Sequence, residues 1–339
     1  MKASLARPAL RRCSPPSSRF SRRSTQRMRR LQADQGIPLT TPPAVDGLLL
    51  VDKAAGVSSH DVVSVARRVL GEQRIGHAGT LDPFATGLLV LLVGRATRLL
   101  QHLPHEPKRY VATVRFGTET DTEDLTGTAT REAALPDTAA LETARTTLVG
   151  DIEQVPPAYS AKRVEGTRAY KLARKGEAPD LKPSLVHVDE LLLDDFELEG
   201  DRVVRCRMRV ACGGGTYVRS LARDLARAAG SAAHLEALRR TDSGPFSVRE
   251  AVTFEALKSG PPMLGTSLDA LPGYPRQALA PDDVARVVRG IDVAAKVPGT
   301  HAALIMASAA GDTLVCLAER RISELGERWQ PRVVMRGDG

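Results

Sequence analysis

The sequence predicts an α+β fold of two unequal parts, and three patterns carry that expectation. Short apolar or alternating runs with strand character, such as "GLLLVDK" and "RYVATVRFG", stand beside amphipathic stretches with helix-capping residues. The stretch "LLLDDFELEGDRVVRCRMRV" reads as a long hairpin, which demands antiparallel strands. The last 58 residues hold two more β-like runs, "HAALIMA" and "TLVCLAE", around Gly311-Asp312, which suggests a small β-rich appendix. A chain of 339 residues has room for one large domain and a small one.

Order is expected to begin near Asp46. Residues 1–45 carry nine arginines, one lysine and a single acid, Asp34, in a setting rich in Ser and Pro. Such a segment cannot bury enough apolar surface to fold and reads as a disordered basic tail. It is an upstream start translated on paper only, an RNA-attracting arm or an organelle transit peptide. The tail accounts for +9 of a net +8, so the rest of the chain sums to −1 and the overall basicity says little about the folded body. Four cysteines (13, 206, 212 and 316) form no Cys-x-x-Cys pair, which fits a reducing compartment and an expected cytoplasmic location. No apolar run approaches the roughly 20 residues needed to span a bilayer.

"GLLLVDK" is a strand and "AAGVSS" turns it. Ser58 or Ser59 then caps a helix over "DVVSVARRVLG", with Val62, Val65, Ala66 and Val69 on one face and Gly71 at its end. "GLLVLLVG", 87–94, is fully buried, as strand or helix; periodicity does not decide. "RYVATVRFG" is a half-buried strand with Tyr110, Ala112, Val114 and Phe116 on one side. Residues 135–150 read as a helix, and 151–180 as an irregular basic segment with a short helix around "AYKLARKG". In the hairpin, a three-residue loop Gly200–Arg202 sets Leu198 opposite Val204, Phe196 opposite Cys206, Glu197 opposite Arg205 and Asp195 opposite Arg207. From Arg202 to Arg240 there are nine arginines and two acids. They are either cross-strand charge pairs or contacts to RNA phosphates. "GGGTYVRSLARDLARAAG" opens a helix near Thr216. Residues 259–281, rich in Pro and Gly, read as a linker.

"GHAGTLDPFATGLL" poses the functional question. It places one carboxylate, Asp82, against Pro83 in a loop of small residues. Locally, Asp82 reads as an N-cap and Pro83 as the first residue of a helix. Against that, Gly76, Gly79 and Gly87 permit close backbone approach, and Pro83 restrains the direction of the carboxylate. Glycoside hydrolysis wants two carboxylates, phosphoryl transfer a Gly-x-x-x-x-Gly-Lys-Ser/Thr loop, and a zinc deaminase His-x-Glu with Cys-x-x-Cys. None is present. One aspartate acting as a nucleophile remains.

The stretch "RIGHAGTLDPFATGLLVLLVGRATRL" resembles the signature of the TruB family of bacterial tRNA pseudouridine synthases, which isomerise the uridine at position 55 in the T loop. "GLLLVDKAAGVSSHDVV", "KRYVATVRFGTETDTEDLTG", "QVPPAYSAKRVEGTRAYKLARKGE" and "CGGGTYVRSLARDLA…AHLEALRRTDSGPF" resemble further family blocks in order, over roughly 46–253. The resemblance implies a pseudouridine-synthase fold with a central, mostly antiparallel mixed sheet flanked by helices. It implies a catalytic domain at 46–258 with a substrate-gripping insert at 151–180, the linker, and a PUA-like domain at 282–339. One departure is Lys53-Ala54-Ala55-Gly56, where the family has Lys-Pro-x-Gly; the lost proline bears on loop stiffness.

By the same resemblance Asp82 is the nucleophile, Tyr110 lies against the target ring and acts in proton transfer, and Arg219 pairs with Asp82. An arginine there would lower the carboxylate's pKa. His77 stacks where flipped bases leave space, Asp124, Tyr217 and Leu238 line the pocket, and Lys53 lies near the site. No cofactor or metal is required. The partner implied is the T arm of tRNA, with no membrane, guide RNA or protein partner, and a monomer is expected. Two other readings stay open: a guide-RNA-dependent relative sharing the Asp loop, and an RNA-binding or tRNA-folding module.

Overall fold

The computed structural model describes residues 45–160, 162–164, 167–173, 181–309, 311–324 and 326–335. The basic tail, Val45 apart, and part of the insert, including the end of "AYKLARKG", lie outside them. The first apolar run forms β1, Gly47–Lys53, and leads to helix α1, Ser59–Leu70. Ser58 is its N-cap: the hydroxyl accepts from the Asp61 amide and the Asp61 carboxylate accepts from the Ser58 amide, so two helix-end donors are satisfied at once. Gly71, at φ +66°, ends the helix in the left-handed region. Val62, Val63 and Ala66 are buried while Val65 and Val69 are only partly covered, so the inner face is turned slightly from that expected.

The chain continues through β2 (Ile75–Ala78), β3 (Thr86–Val93), β4 (Lys108–Phe116), α2 (Thr138–Thr146), β5 (Gly150–Gln154), β6 (Ser184–Glu199), β7 (Arg202–Cys212), α3 (Val218–Ala228) and β8 (Ala233–Ser243). These build a ten-stranded sheet in which a short strand at Val252–Thr253 is followed by β1, β3, β8, β4, β7, β6 and β5. β1 with Val252–Thr253 and β3 with β8 run parallel; the other pairs are antiparallel. This is the mostly antiparallel mixed sheet expected.

The undecided run at 87–94 is therefore a strand. Between β1 and β8, with Leu88 to Val93 wholly buried, it is apolar on both faces because both faces are covered. Asp82 caps no helix: its carbonyl accepts from the Ala85 amide (3.1 Å) in a tight turn that feeds β3. The helix expected over 135–150 is shorter, capped by Asp137 and stopped before β5.

The hairpin closes with two residues, Gly200 and Asp201, not three: Glu199 pairs with Arg202 and Leu198 with Val203. A bulge beyond Leu198 restores Glu197 opposite Arg205. A second, around Asp195 at φ +49°, places Asp194 rather than Asp195 opposite Arg207 and leaves Phe196 unpaired with Cys206. Bulges absorb the odd residue, so the tight turn does not mix the faces.

In the stretch read as a linker, Leu268, Ala270 and Leu271 are buried and Arg276–Ala278 (β9) already belongs to the second sheet. After α4 (Pro281–Val288) come β10 (Val293–Ala294), β11 (His301–Met306), β12 (Thr313–Ser323) and β13 (Gly326–Val334), in the order β9, β11, β12, β13, β10. Trp329 fills the core of this unit, its indole N–H donating to Gln277 Oε1 (2.8 Å). Leu314, Leu317 and Val333 of the second sheet share an apolar cluster with Leu48, Leu88 and Leu92 of the first. No helix among the described residues is long and apolar enough to cross a membrane.

Candidate active site

Asp82 stands on the loop between β2 and β3, and that loop is pinned on both sides of it. Ser59 Oγ donates to Leu81 O (3.1 Å) and accepts from Leu81 N (2.9 Å). Pro83 O accepts from Gly56 N (2.8 Å) and Lys53 Nζ (3.2 Å), and Gly79 O from Arg240 Nη2 (3.1 Å). The glycines admit close neighbours as expected, but the neighbours are the protein's own. A Cβ on Gly87, at φ +101°, would stand 2.2 Å from Arg240 O, and one on Gly76 2.6 Å from Leu100 Cδ1.

Arg219, near the start of α3, turns back to this loop. Its Nε lies 2.9 Å from Asp82 Oδ2, and its side chain is 4% exposed against 36% for that of Asp82. Nη1 donates to Thr122 O (2.6 Å) and lies 3.6 Å from Asp124 Oδ2, and Nη2 donates to Tyr159 O (2.9 Å). The three nitrogens thus join the Asp82 loop, the 122–124 loop and the root of the insert. Asp124 is held in turn: its Oδ1 accepts from Thr122 Oγ1 (2.9 Å), Thr126 N (2.9 Å) and Thr126 Oγ1 (2.6 Å).

Asp82 and Arg219 open onto a concavity of about 270 Å³, also lined by Tyr110, Tyr217 and Leu238. That volume is at the small end for ligand sites. The structure therefore brings five of the eight expected site residues to one wall. Asp124 stands behind Arg219, Lys53 lies beneath the loop, and His77, half-buried on β2 opposite Leu91, does not line the concavity. Tyr217 is oriented by the buried Gln154, whose side chain accepts from Tyr217 N (2.8 Å) and donates to Tyr217 O (3.1 Å).

Comparison with known proteins bears on what this wall does. Residues 67–218 match the model of the TruB family pseudouridylate synthase N-terminal domain, and 219–283 that of the tRNA pseudouridylate synthase B C-terminal domain. The tRNA pseudouridine synthase B of Thermobifida fusca is 41% identical over 297 residues, covering 86% of this chain and 99% of its own. The chain belongs to the TruB family of pseudouridylate synthases. The Solibacter usitatus synthase is 47% identical over 217 residues, 63% of this chain and 72% of its own. In fold, the chain is similar to a solved Cbf5-Nop10-Gar1 complex, with a TM-score of 0.61 at 23% identity, over 86% of this chain and 85% of that one. It is an RNA pseudouridine synthase by family.

In this TruB-family site the electrostatics depart from one expectation. Burial raises the pKa of Asp82 above the usual carboxylate value; Arg219 lowers it, Asp124 raises it again, and the balance stays upward. A third of the side chain meets solvent, yet protein surrounds the carboxylate on its other sides. Arg219 thus offsets desolvation without reversing it.

Lys53 ties the turn at 54–57 to the Asp82 loop. It has no exposed surface and donates to Ala54 O (3.0 Å), Val57 O (2.7 Å) and Pro83 O (3.2 Å). Burial lowers its pKa to about 8, against the opposing pull of Asp82. Lys53→Met should destabilise the protein by about 2–4 kcal/mol in chemical denaturation, because three carbonyls lose a donor. Turnover should fall with it as the Asp82 loop loosens; an unchanged denaturation midpoint would count against this role.

Two lining cations escaped the sequence reading. Lys108 and Arg240 are buried, 8% and 1% exposed, on β4 and β8. Arg240 was readable only as one of nine arginines. Of those nine, eight pair with carboxylates: Arg202 with Asp137, Arg205 with Glu197 and Glu236, Arg207 with Asp194 and Asp195, Arg209 with Asp194, Arg219 with Asp82, Arg223 with Glu123, Arg227 with Glu119, Arg239 with Asp52. Acids from other segments cancel the apparent patch, so the charge-pair reading holds for these arginines.

Proposed function

We propose that this chain isomerises uridine to pseudouridine at position 55 in the T loop of tRNA, with Asp82 as nucleophile. The observation that carries the reading is the Asp82–Arg219 pair at 2.9 Å on the wall of a concavity shared with Tyr110 and Leu238. The substrate class is taken from the tRNA pseudouridine synthases B that it matches nearly end to end, and in this reading the chain acts as a monomer without guide RNA or protein partner. Residues 46–258 form the catalytic body in this reading, and 282–339 a PUA-like unit that adds RNA contact.

A T-loop uridine is stacked and must be everted, at a cost of a few kcal/mol. Stacking on Tyr110 returns about 1–3 kcal/mol. Asp82, ionised, attacks C1′ of the ribose or C6 of the base. The N1–C1′ bond breaks with its electron pair on the uracil, the ring turns, and C5 bonds to C1′; the carboxylate leaves C1′ as that bond forms, or leaves C6 when the C5 proton is lost. Loss of the C5 proton, handled by Tyr110, and gain of one at N1 complete the isomerisation. Arg219 holds the carboxylate in line throughout.

A T-arm minihelix with 5-tritiated uridine should release one tritium per RNA, and carbodiimide mapping should place the product at position 55 alone. Product at another position, or none without added guide RNA, overturns the reading.

A further inference from the structure

Arg240 stands apart from the other eight arginines of 202–240. It is 1% exposed and lines the concavity, yet among the described residues no carboxylate forms an ion pair with it. Two backbone carbonyls fix it instead: Nε donates to Leu88 O (2.7 Å) and Nη2 to Gly79 O (3.1 Å). A buried guanidinium without a counter-charge is costly, and is best matched to a negative charge that forms only during reaction. The sheet register shows where. Arg240 is the direct cross-strand partner of Tyr110, so the two side chains project side by side from the same face of the sheet.

We propose that Arg240 is a positioning residue for Tyr110, its guanidinium stabilising the phenolate that takes the C5 proton. This rests on the proposed function above, in which Tyr110 handles that proton. Once C5 has bonded to C1′, it carries both the ribose and a hydrogen. The Tyr110 phenol first gives its proton to N1, or to a water beside it, and becomes the phenolate. The phenolate oxygen then takes the C5 proton, the C–H electron pair becomes the C5–C6 double bond, and the C6–N1 π pair moves to N1, which restores the phenol. After attack at C6 the C–H pair instead expels the Asp82 carboxylate from C6; removal of the C5 proton is common to both routes.

The groups facing Tyr110 from each side support the assignment. Asp82 approaches from the loop and Cys212 from β7, the latter a neutral thiol pushed up to about 11 by burial. Lys108 lies two residues away on β4. Burial raises the Tyr110 pKa, and the positive charge of Arg240 opposes that rise.

The test compares Arg240→Gln, Arg240→Lys and Tyr110→Phe with wild type. Tyr110 ionisation is read as the phenolate absorbance of each protein less that of its Tyr110→Phe counterpart. Arg240→Gln should slow single-turnover tritium release about a hundredfold, with RNA affinity unchanged, a larger isotope effect from 5-deuterated uridine, and phenolate appearing at higher pH. Arg240→Lys should fall between the two. If Arg240→Gln does not fold, Arg240→Lys carries the test: a phenolate titration coincident with wild type overturns the proposal. So does Arg240→Gln with an unchanged isotope effect, or a loss confined to RNA affinity. Tyr110→Phe that releases tritium at the wild-type rate removes Tyr110 from the proposed function itself; an inactive Tyr110→Phe beside a fully active Arg240→Gln removes only this inference.

Discussion

Replacing Asp82 by Asn is expected to cut turnover by about 10⁴-fold or more while leaving RNA affinity near wild type. The amide keeps an acceptor toward Arg219 Nε and nearly the same volume, so the wall of the concavity persists. Only the nucleophilic charge is lost. Tritium release from the T-arm minihelix reads the first quantity and filter binding the second. Equal release from variant and wild type would take Asp82 out of the chemistry. Retained binding with rescue of misfolded tRNA by the inactive variant would bring the tRNA-folding reading forward beside the enzyme.

The raised pKa of Asp82 makes two further expectations, and their signs differ from those of an ordinary ion pair. The carboxylate must be ionised to attack, so the acid limb of the pH–rate profile should lie above the usual carboxylate value of about 3.9. In stability, a carboxyl harder to ionise in the folded state than in the unfolded one is an unfavourable term above its folded pKa and none below its unfolded pKa. Asp82→Asn should therefore raise Tm relative to wild type at pH 7, and the gain should shrink as pH falls through the carboxylate range. A gain that grows toward acid would reverse the sign assigned here.

Much of this site was legible because its signals are local. The alternation of Tyr110, Ala112, Val114 and Phe116 marks one face of a strand whatever lies beside it, and the Ser58–Asp61 box is complete within four residues. Asp82 and Arg219, 137 positions apart in number, were joined only through the family resemblance; no spacing rule links them. What stayed illegible depended on neighbours far along the chain. Whether 87–94 was strand or helix turned on β1 and β8 pairing along its two edges while separate apolar clusters cover its two faces. The arginine count from 202 to 240 missed Asp52, Glu119, Glu123 and Asp137, which lie outside the counted window and neutralise it in three dimensions, whereas the hairpin pattern already paired Glu197 with Arg205. Arg240 looked like Arg239 beside it, since adjacent strand residues point to opposite faces and only the fold says which face is the active wall. The upward shift at Asp82 was misjudged because a sequence shows a counter-charge but not the desolvation it must overcome.

Arg219→Leu should be the most damaging single change in the site, lowering stability by about 3–5 kcal/mol and abolishing turnover. The leucine fills part of the space but meets none of the four acceptors that the guanidinium serves: Asp82 Oδ2, Asp124 Oδ2, Thr122 O and Tyr159 O. Two carboxylates that already repel each other lose the cation between them. The deficit should accordingly be largest at neutral pH and narrow as acid protonates them, which urea unfolding at two pH values measures through the midpoint at constant slope. Arg219→Lys keeps the charge but not the fork, so it can serve Asp82 or a carbonyl, not both loops and the insert root together, and should recover only part of the stability and little of the rate. A leucine variant with wild-type midpoints at both pH values would mean that the Asp82 loop is held by Lys53 and Ser59 alone, and that Arg219 acts on the carboxylate without bracing the structure around it.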